Sequence, residues 1–103
     1  MRMMQGDQYK LPISLKKSDG SFITQDDLKD LEVFIGKTRK TMSEKQITQE
    51  GDMFYVKLLQ KDTFPLKGDI EIQARLLFKS GDVIGVKLGT LPVDESISKV
   101  VLV

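Results

Sequence analysis

The stretch "DIEIQARLLFKSGDVIGVKLG", residues 69–89, decides the fold class, because apolar and polar side chains alternate on both sides of a short turn. The apolar residues of its first half share one face of an extended strand: Ile70, Ile72, Ala74, Leu76 and Phe78. Ile84, Val86 and Leu88 repeat this alternation in the second half and are expected to point inward. Gly81–Asp82 lies between the halves and is a tight-turn signal, since glycine adopts a positive φ without steric cost. The stretch therefore predicts a β-hairpin.

Three glycines in this stretch raise the alternative of a phosphate-binding loop. Such a loop needs closely spaced glycines that lead into a helix, whereas Gly81 leads into the strand pattern "DVIGVKL". After Gly89 the alternation shifts by one residue, so that the inward positions become Leu91 and Val93. A glycine at such a phase change indicates a β-bulge. The glycines are thus explained by a turn and a bulge.

The same alternation extends along most of the chain and predicts an all-β fold, an immunoglobulin-like antiparallel β-sandwich of about seven strands. Residues 1–103 form a single domain in this interpretation, and residues 1–6 are expected to be a flexible N-terminal segment. Pro12 places its strand at a sheet edge, because proline has no N–H to donate. Thr24 followed by Asp27 predicts one short helical turn. The ending "ISKVVLV" is interpreted as the last strand.

Composition argues against an enzyme. The sequence contains no histidine and no cysteine, which removes the usual general base near neutral pH and every thiolate ligand. No catalytic, cofactor-binding or metal-binding residue is therefore assigned. Sixteen basic residues balance fifteen acidic ones, so no nucleic-acid partner is expected from the net charge. No apolar run is long enough for a membrane span, and no membrane partner is expected.

The basic cluster "GKTRK", with Lys37, Arg39 and Lys40, is the best case for nucleic-acid binding by an OB-like fold. The alternative is a charged edge strand or solvated loop that discourages pairing between sheets. The balanced net charge and the absence of tryptophan favour that alternative.

Apolar residues on outward-facing positions are candidates for a protein interface. Phe34, Tyr55 and Leu77 fall on the polar phase of their strands and would form one patch if these strands were neighbours. Val101 and Val103 belong to the apolar C-terminal segment. On a half-buried edge strand these residues would face water, so we expect a neighbouring subunit or a central position in the sheet to cover them.

Five segments, "GDQYKLPISL", "LEVFIGKTRKT", "LLQKDTFPL", "QARLLFKSGDVIG" and "LGTLPVDESISKVVL", resemble a family of small phage and prophage proteins from Gram-positive bacteria. These proteins belong to the tail and baseplate. The opening and the hairpin are also similar to the immunoglobulin-like N-terminal domain of phage baseplate upper proteins. The resemblance extends from Gly6 to the end but is weaker over residues 42–49, to which the sequence assigns no role.

The resemblance implies a non-enzymatic structural or assembly protein of a phage tail or baseplate, which acts through protein–protein contacts. Its expected partners are other tail or baseplate proteins, and homo-oligomers are a further expectation. It would be made in the host cytoplasm and then associate with the virion. The alternatives are a small binding module for cell-wall carbohydrate or another protein, and an OB-like nucleic-acid binder.

Overall fold

Two β-sheets pack face to face in the computed structural model, which describes residues 2–102. The strands are β1 (Met3–Met4), β2 (Tyr9–Ile13), β3 (Leu28–Ile35), β4 (Thr38–Thr41), β5 (Ile47–Glu50), β6 (Met53–Leu58), β7 (Gly68–Phe78) and β8 (Val83–Asp94). The five-stranded sheet has the order β1-β8-β7-β3-β4, and the three-stranded sheet has the order β2-β6-β5. The predicted all-β sandwich is thus confirmed, with eight strands where about seven were expected.

Every strand pair among the described residues is antiparallel except β1 with β8, which is parallel. The molecule measures 46 × 24 × 22 Å. β7 and β8 are its longest strands, with 11 and 12 residues. They form the hairpin that the sequence predicts.

The core lies between the sheets and is formed by the predicted inward faces. Leu31, Val33 and Ile35 on β3 are fully buried, as are Phe54, Val56 and Leu58 on β6. On β7 the buried side chains are Ile72, Ala74 and Leu76, while the intervening Gln73 and Arg75 are exposed. The period of two in the sequence therefore places the core faces correctly.

The hairpin turn and the bulge occur where the sequence predicts them. Gly81 has φ +96° in the turn between β7 and β8. Ile72 is opposite Gly89 and Gln73 is opposite Lys87, so Leu88 is the extra residue of a bulge. Gly89 has φ +113°, which residues with a Cβ rarely adopt. The bulge shifts the inward set to Leu91 and Val93, which are buried.

Two short helical segments connect strands. The predicted turn at Thr24 is a 3₁₀ helix over Gln25–Asp27, where the Thr24 N–H donates to Asp27 Oδ2 at 3.0 Å. That hydrogen bond stabilises the carboxylate and holds the pKa of Asp27 below its ordinary value. The second segment is the one-turn helix α1 (Gln60–Thr63). It lies in the connection between β6 and β7.

The N-terminal residues do not form the flexible segment expected for residues 1–6. Met3 is 4% exposed and pairs with Val93 through β1. Gln5 is also buried, and its Nε2 donates to the Phe64 carbonyl at 3.0 Å. Backbone pairing and a buried amide therefore hold residues 3–5 against the domain. Met1 lies outside the described residues.

We expect Leu76→Ala to lower the free energy of unfolding by about 2–5 kcal/mol, because it leaves a cavity at a side chain that is 1% exposed. Arg75→Ala is the matched control on the opposite face of the same strand. Its contact with Glu32, at 3.9 Å, is a partly exposed ion pair that contributes about 0–1 kcal/mol. Urea denaturation of both variants measures the difference, and equal losses would mean that the facing of β7 is wrong.

Candidate functional site

The free edges of the two sheets differ in how they are protected from pairing with another chain. β2 carries Pro12, which cannot donate a hydrogen bond. β4 and β5 are each four residues long, and β4 carries Arg39 and Lys40. Short length, charge and proline are the devices that natural proteins use to blunt sheet edges. Three edges of the sandwich are thus protected.

The fourth edge, formed by β8, is long and apolar. β1 pairs only with Val93 and Asp94, so among residues 2–102 no strand covers the outer edge of β8 from Val83 to Pro92. Lys87 is the single charged side chain within this stretch. Val83 is 54% exposed. The backbone N–H and C=O groups of this edge are available to a further strand.

The inner face of the same strand is also uncovered. Ile84 and Val86 were expected to point into the core, and their pairing with Leu76 and Ala74 places them on the inner face of the five-stranded sheet. They are nevertheless 50% and 39% exposed, whereas Leu88 beside them is partly buried against the core. We call Ile84, Val86 and Leu88 the β8 strip. It joins an open sheet edge to an exposed apolar surface.

The predicted interface residues Phe34, Tyr55 and Leu77 do not form one patch. Phe34 and Leu77 share the outer face of the five-stranded sheet, but Tyr55 is on β6 in the three-stranded sheet. All three side chains are half-buried. The expectation of a single patch is wrong because alternation sets the facing of a residue and leaves the sheet of its strand undetermined.

A charged row separates Phe34 from Leu77 on that outer face. Glu32 accepts a hydrogen bond from Arg39 Nε and lies 3.9 Å from Arg75 Nη1. Glu32 and Arg75 are directly opposite each other on β3 and β7, between the positions of the two apolar residues. Leu77 instead borders Val83, its partner on β8. Of the predicted residues, Leu77 alone is therefore next to the open β8 edge.

Tyr55 lies on a positively charged surface. Lys10 and Lys57 are directly opposite each other on β2 and β6, and Lys45 borders the same depression. Among the described residues, no carboxylate lies within 4.0 Å of these three ammonium groups. Such a surface attracts anions in general and does not by itself select one.

The basic cluster at residues 37–40 is not a continuous basic surface. Lys40 is 5% exposed, and its Nζ donates to Asp62 Oδ2 at 2.7 Å. Arg39 is paired with Glu32 on the neighbouring strand. β4 does lie at the edge of its sheet, as the charged-edge interpretation predicts. Two of the three basic groups are thus engaged within the protein, which leaves little support for nucleic-acid binding there.

The C-terminal segment is not the predicted last strand. Residues 95–102 pair with no sheet, and Ile97, Val100, Val101 and Leu102 are exposed. Val101 is therefore uncovered in this chain, and Val103 lies outside the described residues. The Leu102 N–H donates to Gln60 Oε1 at 2.8 Å, and Gln60 Nε2 donates to the Leu102 carbonyl at 2.6 Å. A side-chain amide thus makes the contacts that a paired strand would make.

The other end of this segment is held by Gln5. The Gln5 Oε1 accepts hydrogen bonds from the Ser96 N–H, at 3.0 Å, and from the Lys99 ammonium group. These contacts and those of Gln60 keep the segment along α1 and the N-terminal residues. The apolar side chains between them remain in solvent.

Comparison with known proteins finds no family model, no curated protein and no solved structure that this chain matches. Within residues 2–102, no three potential metal-ligating side chains come together. No helix in that part of the chain is long and apolar enough to cross a membrane. The open β8 edge is therefore the feature that best defines a candidate site.

Sequence reasoning missed this site, because apolar alternation in β8 resembles that of a covered strand and therefore predicts that Ile84 and Val86 lie in the core. The exposure depends on how the strands divide between the two sheets, which alternation does not indicate. Only three strands are available to cover a sheet of five, so some inner-face residues must remain exposed.

We expect Lys40→Met to lower the free energy of unfolding by about 3–5 kcal/mol, because it leaves the Asp62 carboxylate buried without its cation. The two side chains are 6% and 12% exposed. Lys37→Met, three residues away on an exposed turn, is the matched control and should change stability little. Thermal and urea denaturation test this prediction, and similar losses from both variants would show that the ion pair is not structurally important.

Proposed function

We propose that this protein is a non-enzymatic structural or assembly component of a phage tail or baseplate, and that it acts through protein–protein contacts at the open edge of β8. The observation that carries the proposal is the contrast between this edge and the three protected ones. A long, apolar edge whose one charged side chain is Lys87, with the bulge and Pro92 only toward its far end, is a liability for a free monomer. In an assembly protein it is a contact surface.

The energetics of strand addition suit such a role. A partner strand on β8 would pair with the free backbone groups and cover the β8 strip at the same time. Ile84 and Val86 are about half exposed, so covering each contributes about 1 kcal/mol. The exposed apolar residues of the C-terminal segment add a second surface on the same chain.

The assignment to a phage particle rests on the five segments that resemble tail and baseplate proteins. The non-enzymatic part rests on the sequence, which has neither histidine nor cysteine. A protein built for contacts requires only a rigid scaffold and a suitable surface. The paired sheets and the buried Lys40–Asp62 ion pair supply that rigidity.

The proposal is tested in the bacterium that carries the gene. Phage particles are induced, purified on a density gradient and probed for the protein by immunoblotting. We expect the protein in the particles, and we expect deletion of its gene to give incomplete tails by electron microscopy. Complementation with the wild-type gene should restore complete tails.

One edge variant and a matched control sharpen this experiment. Val86→Lys places a charge in the middle of the β8 strip. Ser18→Lys is the control, which adds the same charge in an exposed turn far from β8 in the sequence. We expect the first to fail in complementation and the second to succeed. The proposal would be overturned if the protein were absent from particles and the deletion strain produced complete, infectious phage.

A further inference from the structure

The β8 edge is complementary to itself in one register. In an antiparallel pair related by a two-fold axis perpendicular to the sheet, residues directly opposite each other have their side chains on the same side of the sheet. If Val86 is opposite its own copy, Ile84 is opposite Leu88 of the second chain, and both are apolar. On the other face Lys87 is opposite Gly85, so the two lysines do not oppose each other. All members of the β8 strip thus meet apolar partners.

Neighbouring registers lack this match. A two-fold axis at Lys87 would place the two lysines directly opposite each other, which is destabilising. An axis at Gly85 would place Val83 opposite Lys87 and Asp82 opposite Leu88. Of these three registers, the axis at Val86 is therefore the one that gives every residue of the β8 strip an apolar partner.

We propose that two copies of this chain associate by antiparallel pairing of β8 with β8, with the two-fold axis at Val86. This inference rests on the proposed function and names a second copy as the occupant of the edge. Each copy contributes β8, β7, β3 and β4 side by side, so the pair forms one continuous sheet eight strands wide, and each β1 stays beside the end of its own β8. Both three-stranded sheets lie on the same side of it, and the two β8 strips form an apolar seam between them.

Cysteine trapping tests the register, because the natural sequence contains no cysteine. Residues directly opposite each other in antiparallel strands have Cα atoms about 4.5–5.5 Å apart, which is within the range that a disulfide spans. Val86→Cys should therefore form a disulfide-linked dimer under mild oxidation. Ile84→Cys is the matched control, since the two Ile84 positions would lie about 14 Å apart, four residues along the strand.

The Gly85→Cys, Lys87→Cys double variant should form the dimer again, because the register places these positions opposite each other and both precede the bulge. Sedimentation equilibrium provides an independent measurement. We expect wild-type protein to dimerise as its concentration increases, Val86→Lys to raise the dimer dissociation constant at least ten-fold, and Ser18→Lys to leave it unchanged.

Three results would overturn the pairing. The first is equal crosslinking of the Val86→Cys and Ile84→Cys variants, which indicates random collision. The second is a strict monomer at several hundred micromolar with no crosslink at Val86. The third is crosslinking of Val86→Cys to Val100→Cys in a mixture, which would place the C-terminal segment of another copy on the edge. None of these results bears on whether the protein is present in phage particles. Failure of this inference is therefore distinguishable from failure of the proposed function.

Discussion

The unequal width of the two sheets is the constraint on which the rest of this structure depends. A sheet buries its apolar face only where another layer covers it, and here three strands cover five. The inner faces of β3 and β7 are fully buried at Leu31 and Leu76. β8 is buried beyond its bulge, at Leu91 and Val93, whereas Ile84 and Val86 before the bulge are half exposed. The exposed strip is a consequence of the architecture.

Polar contacts hold β4, α1 and the N-terminal residues together at one side of the sandwich. The Lys40 ammonium group joins the edge strand β4 to Asp62, and that carboxylate also accepts the Leu59 N–H at the start of the helix. Thr63, fully buried, donates its hydroxyl to the Asp7 carbonyl at 2.8 Å. Buried polar groups of this kind stabilise one arrangement only when each has its partner. They fix α1 and the N-terminal residues without adding apolar area.

Local patterns predict those features of the fold that depend on neighbouring residues. Alternation assigns the inner face of β7 correctly, and Gly89 reveals the bulge because the phase changes there. Features that depend on distant partners were missed. Nothing near Lys40 indicates that its cation is buried, because the matching carboxylate is 22 residues away. Tyr55 was placed beside Phe34 because the partner sheet of β6 is not encoded in its own alternation.

The C-terminal segment shows the same limit in a different way. Its run of valines has a high strand propensity, but propensity produces a strand only where an unpaired edge lies within reach. The segment lies beside α1, where Gln5 and Gln60 satisfy its backbone with side-chain amides. Its exposed apolar residues therefore form a second surface, separate from the β8 strip. The candidate site could not be found from either segment alone, since both look like covered strands in the sequence.

The details of the β8 edge also limit how many chains it can bind. Regular pairing is confined to a few residues, because the bulge at Leu88 interrupts the strand and Pro92 removes a donor beyond it. An edge interrupted in this way gives little support to the stacking of many chains, in which each strand must pair on both sides. The proposed two-fold pairing uses the open edge of both copies and, among residues 2–102, leaves the protected edges of β2, β4 and β5 and the two-residue strand β1. In the proposed pair, association through β8 would be closed in the sense of point-group symmetry, and it would give a discrete dimer where an unprotected edge favours a fibre.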